Sequence, residues 1–149
     1  MILLGSDHGG LELKEAVKAL LQQRGISFED CGTDNGNSVD YPDFGVKVAG
    51  RVSKDPSTLG ILVCGTGIGM SIVANKFPHV RAALATDTFM ARMAKEHNNA
   101  NILVLGGRVL SNELAAEMVA TWLDAQFEGG RHQNRLDKIA KVEQDVMKP

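Results

Sequence analysis

Cys64 stands at the end of an apolar run, residues 59–64, and glycines follow it at 65, 67 and 69. A turn of that composition leading into a helix aims several backbone N–H groups at one small concavity, which suits an anion. The same local positive potential favours thiolate over thiol at Cys64. A base beside an anion hole is equipped to take a proton from carbon and to hold the oxyanion that forms. Two other readings use the same residues. A single cysteine at a strand end also serves as a small buried hydrophobe. Gly65 and Gly67 fit the start of the G-x-G-x-x-G dinucleotide fingerprint, with Asp87 about where a ribose-binding acid would stand. Against this, Met70 occupies the third glycine position. The fingerprint also normally follows the first strand of its fold, whereas this loop follows the third apolar run.

Other groups capable of chemistry are spread along the chain. Asp7-His8 closes the first apolar run and reads either as a helix-capping pair or as a substrate contact. His97-Asn98-Asn99 follows a helical stretch. It is either a helix stop, which Asn and His suit, or an acid/base imidazole with an orienting amide at Asn98. Arg131 and Arg135 are four apart, with His132 between them. That spacing puts both guanidiniums on one helix face, where they can converge on a phosphate or simply be solvated. Gly129-Gly130 gives the backbone before them freedom to approach a ligand. Arg108, after Gly106-Gly107, is another candidate cation, and His79, after a turn proline, reads as surface.

The elements that must position these groups alternate. Apolar runs at 2–5, 26–28, 59–64, 80–85 and 102–105 are separated by helical patterns. The later runs are continuous rather than alternating, as strands covered on both faces are. Leu13, Val17, Leu20 and Leu21 share one helical face, and Gly25 stops that helix. Asp40-Tyr41-Pro42 opens a second helix, with the proline where its missing N–H costs little. Phe44, Val48 and Val52 face inward from it. Further helices fall at 71–76, 88–97 and 112–127, and a polar one at about 133–146 ends the chain. This pattern predicts a single α/β domain over residues 1–149: a doubly wound, Rossmann-like sheet of five parallel strands with a C-terminal helix. The simplest right-handed winding gives strand order 2-1-3-4-5. Strands 1 and 3 are then neighbours, and Asp7-His8 faces Cys64 across the crevice where the winding reverses.

With 16 Lys/Arg against 18 Asp/Glu the net charge is −2, and no basic stripe suggests nucleic acid. The two cysteines, Cys31 and Cys64, have no metal-ligand spacing. The N-terminal apolar run is too short for a signal or membrane anchor, so the expected home is the cytoplasm.

Taken together, these residues resemble the family of type B ribose-5-phosphate isomerases and bacterial galactose-6-phosphate isomerase subunits. The resemblance rests on Ser-Asp-His-Gly-Gly at 6–10, Asp-Tyr-Pro at 40–42 and Cys-Gly-Thr-Gly-Ile-Gly-Met-Ser at 64–71. It continues through Ala-Asn-Lys at 74–76, His-Asn at 97–98, Gly-Gly-Arg at 106–108 and Glu-Gly-Gly-Arg-His at 128–132. It implies aldose–ketose interconversion of a phosphorylated sugar through a cis-enediolate, with no cofactor and no metal. It implies Cys64 as the base, with Thr66 bonding near it and the amides of Gly65, Gly67, Ile68 and Gly69 holding the oxyanion. His97, with Asp7 nearby, opens the sugar ring; Asn98 binds the reacting oxygens; Tyr41 lines the site. His8, Arg108, Arg131 and Arg135 hold the phosphate, and His132 belongs to the same substrate-binding set. One branch of the family uses a glutamate base where this chain has Met70, which places this chain with the cysteine branch. Ribose 5-phosphate is the leading substrate. Allose 6-phosphate and galactose 6-phosphate are alternatives within the family, and a sugar-phosphate or nucleotide sensor without turnover is the alternative outside it. No cluster of histidines and carboxylates able to grip a divalent metal is visible in the sequence.

One geometric expectation concerns assembly. His97 precedes the fifth strand and so lies at the N-terminal edge of the sheet, while Cys64 ends the third. A strand of this length spans roughly 17–20 Å, which makes direct cooperation within one chain awkward. A homodimer, or a dimer of dimers, solves the problem if each subunit lends His97-Asn98 to the other's glycine loop.

Overall fold

The structure, a computed structural model, describes residues 1–147. Strands β1 (Ile2–Ser6), β2 (Phe28–Asp30), β3 (Leu59–Cys64), β4 (Ala82–Leu84) and β5 (Ile102–Gly106) form one sheet. All of its pairings are parallel. The helices are α1 (Leu11–Gln23), α2 (Tyr41–Lys54), α3 (Ile68–Ala74), α4 (Thr88–Glu96), α5 (Asn112–Asp124) and α6 (Arg131–Met147). A single 3-10 turn, His8–Gly10, joins β1 to α1.

The fold class is the expected doubly wound sheet, but its last two strands are exchanged. The order is β2-β1-β3-β5-β4, not 2-1-3-4-5. β5 lies beside β3 because it can be covered on both sides: all five of its residues are buried. The three residues of β4 are only partly buried, which suits an edge. With right-handed crossovers, stepping back from β4 to β5 moves α4 to the opposite face from α3. α4 accordingly packs on α5, which also packs on α1, while α2 packs on α3.

Each face carries its own apolar cluster. On the α1/α4/α5 side, Leu4, Ile61, Val63, Leu103 and Leu105 meet Leu13, Val17, Ala91, Met118 and Trp122. On the α2/α3 side, Leu3, Leu62, Cys64, Ile102 and Val104 meet Val48, Val52, Met70 and Ala74. Large aliphatic residues at full burial contribute about 1.5–3 kcal/mol each, and these layers fix the strand ends to which the chemical groups are attached.

Local signals account for most boundaries. Gly25 takes the left-handed conformation, φ +67°, that ends α1. Asp40 and Pro42 open α2 as expected. β2 begins at Phe28, where the apolar run at 26–28 ends, and the last turn of the predicted 112–127 helix is extended from Ala125 onward. Lys14 is buried and its ammonium lies 2.7 Å from Asp30 Oδ1, also donating to the Thr33 carbonyl. Burial alone would raise the Asp30 pKa; the Lys14, Gly32 and Lys18 donors overcome it and hold that carboxyl below its ordinary value. Among the described residues, no helix is long and apolar enough to cross a membrane.

Candidate active site

The loop after β3 is built around Gly67, which adopts φ +84° and serves as the cap of α3. Left-handed backbone is open to glycine at little cost, and it lets α3 begin at Ile68. The expected start at residue 71 is therefore corrected: Ile68 and Gly69 belong to the first helical turn. Thr66 Oγ1 accepts from the Ile68 N–H at 3.2 Å, which ties Thr66 into the turn and leaves its hydroxyl proton to donate elsewhere. Gly69 is required for a second reason, since a Cβ there would come within 2.4 Å of the Tyr41 ring. That contact draws Tyr41, the first residue of α2, against the glycine turn.

Cys64 itself is nearly covered, with 4% of its surface exposed, and packs in the α2/α3 cluster. Its carbonyl accepts from Gly107 N–H at 2.8 Å, and the Gly65 carbonyl accepts from Arg108 N–H at 2.8 Å. The Arg108 guanidinium consequently lies over Gly65 and Gly9. An open cavity of about 580 Å³ is lined by Asp7, His8, Tyr41, Asp43, Gly65 and Arg108, together with Gly9, Val39, Asp40 and Pro42. This is within the range of small-ligand pockets. Asp7 Oδ1 accepts from Gly10 N–H at 3.0 Å and so caps the 3-10 turn. His8 Nδ1 accepts from Val39 N–H at 3.2 Å, which leaves Nε2 free to donate into the cavity. The expected placement of Asp7-His8 opposite the glycine turn holds.

The remaining candidates form a second group at the other edge of the sheet. His97 caps the C-terminus of α4, and Asn99, at φ +44°, makes the left-handed stop two residues later. Arg131 and Arg135 are exposed on the first turns of α6, and His132 between them is buried. The rings of His97 and His132 stack with centroids 4.0 Å apart and planes 15° from parallel. Glu128 Oε1 lies 3.3 Å from His97 Nε2 and 4.0 Å from His132 Nε2. Burial, with the nearby His97 and Arg131, holds the His132 pKa below its ordinary value, Glu128 opposing them.

Within one chain Asp7 lines the β3-side cavity and His97 belongs to the other group, so their pairing rests on the sharing between subunits expected from the sequence. One sequence expectation changes here, because a histidine–carboxylate cluster exists: the ligand atoms of His97, Glu128 and His132 lie within 4.8 Å of one another. Its arrangement does not match a metal site. Imidazole donates through an in-plane lone pair at about 2.0–2.1 Å from zinc, and two stacked, nearly parallel rings cannot both aim theirs at one ion.

Asp87 accepts from Met90 N–H at 2.7 Å as the cap of α4, which gives that carboxylate a structural task and removes the ribose-binding acid of the dinucleotide reading. His79 is a surface residue, as expected, with its backbone N–H donating to Glu143. Glu128 was not singled out by sequence reasoning. It entered only as the first residue of the Glu-Gly-Gly-Arg-His run at 128–132, with no role of its own.

A parallel sheet with a glycine turn and a cation at the β1/β3 switch point defines a doubly wound domain, a class in which ligands bind outside the carboxyl ends of the strands. A family model for Ribose/Galactose Isomerase matches residues 2–139, and the chain belongs to that family of isomerases. It is 43% identical over 143 residues to ribose-5-phosphate isomerase B of Escherichia coli K12, covering 96% of each chain. Its fold is similar to the solved structure of ribose-5-phosphate isomerase B from Clostridium thermocellum, with TM-score 0.92 and 50% identity over 97% of this chain and 98% of that one. It is also similar to the Mycoplasma genitalium ribose-5-phosphate isomerase B solved with bound ribulose 5-phosphate, with TM-score 0.93 and 41% identity over 96% and 95% of the two chains.

Proposed function

We propose that this chain is an aldose–ketose isomerase that interconverts ribose 5-phosphate and ribulose 5-phosphate through a cis-enediolate. The observation that carries the reading is the meeting of Cys64, the glycine turn and Arg108 at the ends of β3 and β5, in a chain of this family. Cys64 is the base. It takes the C2 proton of the open-chain aldose, and the electron pair moves to form the C1–C2 double bond with negative charge on O1. Transfer of the O2 proton to O1, followed by return of the proton from sulfur to C1, gives the ketose. Amides of the glycine turn stabilise the oxyanion; a single well-aimed donor in such a site is worth about 3–4 kcal/mol. A positioned base adds roughly 10²–10⁴-fold.

His97 opens the furanose ring, Asn98 holds the reacting oxygens, and His8, Arg108, Arg131 and Arg135 grip the phosphate. These groups occupy opposite edges of one sheet, so the reading includes a homodimer whose two-fold places the His97 group of one subunit over the Cys64 group of the other. The apolar side chains Ile68, Ile72, Phe89 and Val109, each more than half exposed near the carboxyl edge, support such an assembly. A coupled assay of the purified protein across ribose 5-phosphate, allose 6-phosphate and galactose 6-phosphate tests the substrate. Turnover of none of the three would leave the sensor reading in its place.

A further inference from the structure

We infer that Glu128 is a positioning residue that holds the His97 imidazole with its proton on Nε2, leaving Nδ1 as the nitrogen that opens the sugar ring. The inference rests on the isomerase reading above and adds to it a role for a residue that the reading does not use.

Three observations combine. The Glu128 carboxylate stands 3.3 Å from His97 Nε2, and a carboxylate can only accept. It therefore favours the tautomer with hydrogen on that nitrogen. The backbone that carries this carboxylate is held in place, because Glu128 N–H donates to the Glu96 carbonyl at 3.0 Å, tying the segment before α6 to the end of α4. The stacked, buried His132 ring covers one face of His97, so the imidazole keeps its plane while its edge stays open. A base oriented by a third group is a recurrent catalytic device. Here the base is a histidine, and the groups that face it are Glu128 and the His132 ring.

The proton traffic balances without a co-reactant. Nδ1 takes the proton of the anomeric hydroxyl, and its O–H electron pair becomes the C1=O1 π bond. The C1–O4 bond breaks toward O4, which receives the same proton from Nδ1. A sugar that has no ring to open does not need this step. D-Erythrose 4-phosphate is such a sugar, because its O4 is esterified and cannot close a furanose.

The test is the Glu128→Gln variant, with His97 observed directly. In long-range proton–nitrogen spectra of the imidazole-labelled wild-type protein, neutral His97 should carry its hydrogen on Nε2, and the variant should lose that preference. Its kcat on ribose 5-phosphate, relative to turnover of erythrose 4-phosphate, should fall at least about tenfold, as loss of orientation of an acid/base group implies, with KM little changed. Glu128→Asp should recover part of the loss. Hydrogen on Nδ1 in the wild type, or an equal loss on both sugars, would overturn the inference. The isomerase reading is judged separately, by whether the wild-type protein turns over ribose 5-phosphate at all.

Discussion

The amide of Gly107 donates to the carbonyl of Cys64 at 2.8 Å, stitching the exit of β5 to the exit of β3. This bond exists because β5, not β4, is the neighbour of β3. One residue further on, the same stitch sets Arg108 over the glycine turn. The strand exchange thus decides which cation reaches the site.

Arg108 should therefore act on phosphate. Hydrogen bonds to charged groups are worth about 1.5–3 kcal/mol, so Arg108→Ala should weaken ribose 5-phosphate binding roughly 10–100-fold. Arg131→Ala and Arg135→Ala should do likewise, and each variant should discriminate less against unphosphorylated ribose. Titration calorimetry with both sugars reads this directly. Normal affinity in the Arg131 and Arg135 variants would reduce that pair to a solvated helix face.

Replacing Cys64 by Ala should lower kcat by about 10²-fold or more while leaving fold and ligand affinity largely intact. Sugar phosphate should also protect the wild-type thiol from iodoacetamide. Near-normal turnover by the variant would mean that the thiol is only a buried hydrophobe.

Mixing inactive Cys64→Ala with inactive His97→Ala should restore activity, because some mixed dimers hold one intact site. The measurement is specific activity after subunit exchange has been verified by mass spectrometry. A fully active monomer, or no rescue, refutes the shared site.

Exhaustive EDTA treatment should leave turnover unchanged, since the stacked His97 and His132 rings do not converge on an ion. Loss of activity that returns with a divalent ion would replace the enediolate scheme by a metal-assisted one.

Stability should fall as the solution is acidified through about pH 6.5, the ordinary histidine value. His132 resists protonation in the folded chain. Above that pH both states hold it neutral; below it the unfolded chain takes up a proton that the folded one declines, which favours unfolding. Urea midpoints at pH 8 and 5.5 should differ less for His132→Asn than for the wild type.

Much of this was legible from local chemistry. The apolar run at 59–64 became β3 without adjustment, because a strand buried on both faces leaves an unbroken signature. Asp40 and Pro42 marked α2. Strand order was not legible at its end, since right-handed winding permits either neighbour for β3 and the choice depends on which strand can be covered twice. The start of α3 was displaced by three residues because Gly67 turns the chain in one step through positive φ. Cys64, Arg108 and His8 were recognisable as site candidates by their places after strands. Glu128 was not, since its relation to His97 crosses from α4 to the approach of α6 and leaves no sequence spacing.

α6 runs for 17 residues, yet among them only His132, in its first turn, is buried. Ile139, Val142 and Val146 face outward. A helix with so little covered surface draws little of its order from packing, and its far turns should open by local fraying, with backbone amides exchanging early. The segment that carries Arg131 and Arg135 is thus held at its first turn by buried His132 and again farther along by Glu143, whose carboxylate accepts from the His79 N–H. Whatever comes to lie against its outer stripe would damp that motion, making the grip on an anion tighter in an assembled particle than in an isolated chain.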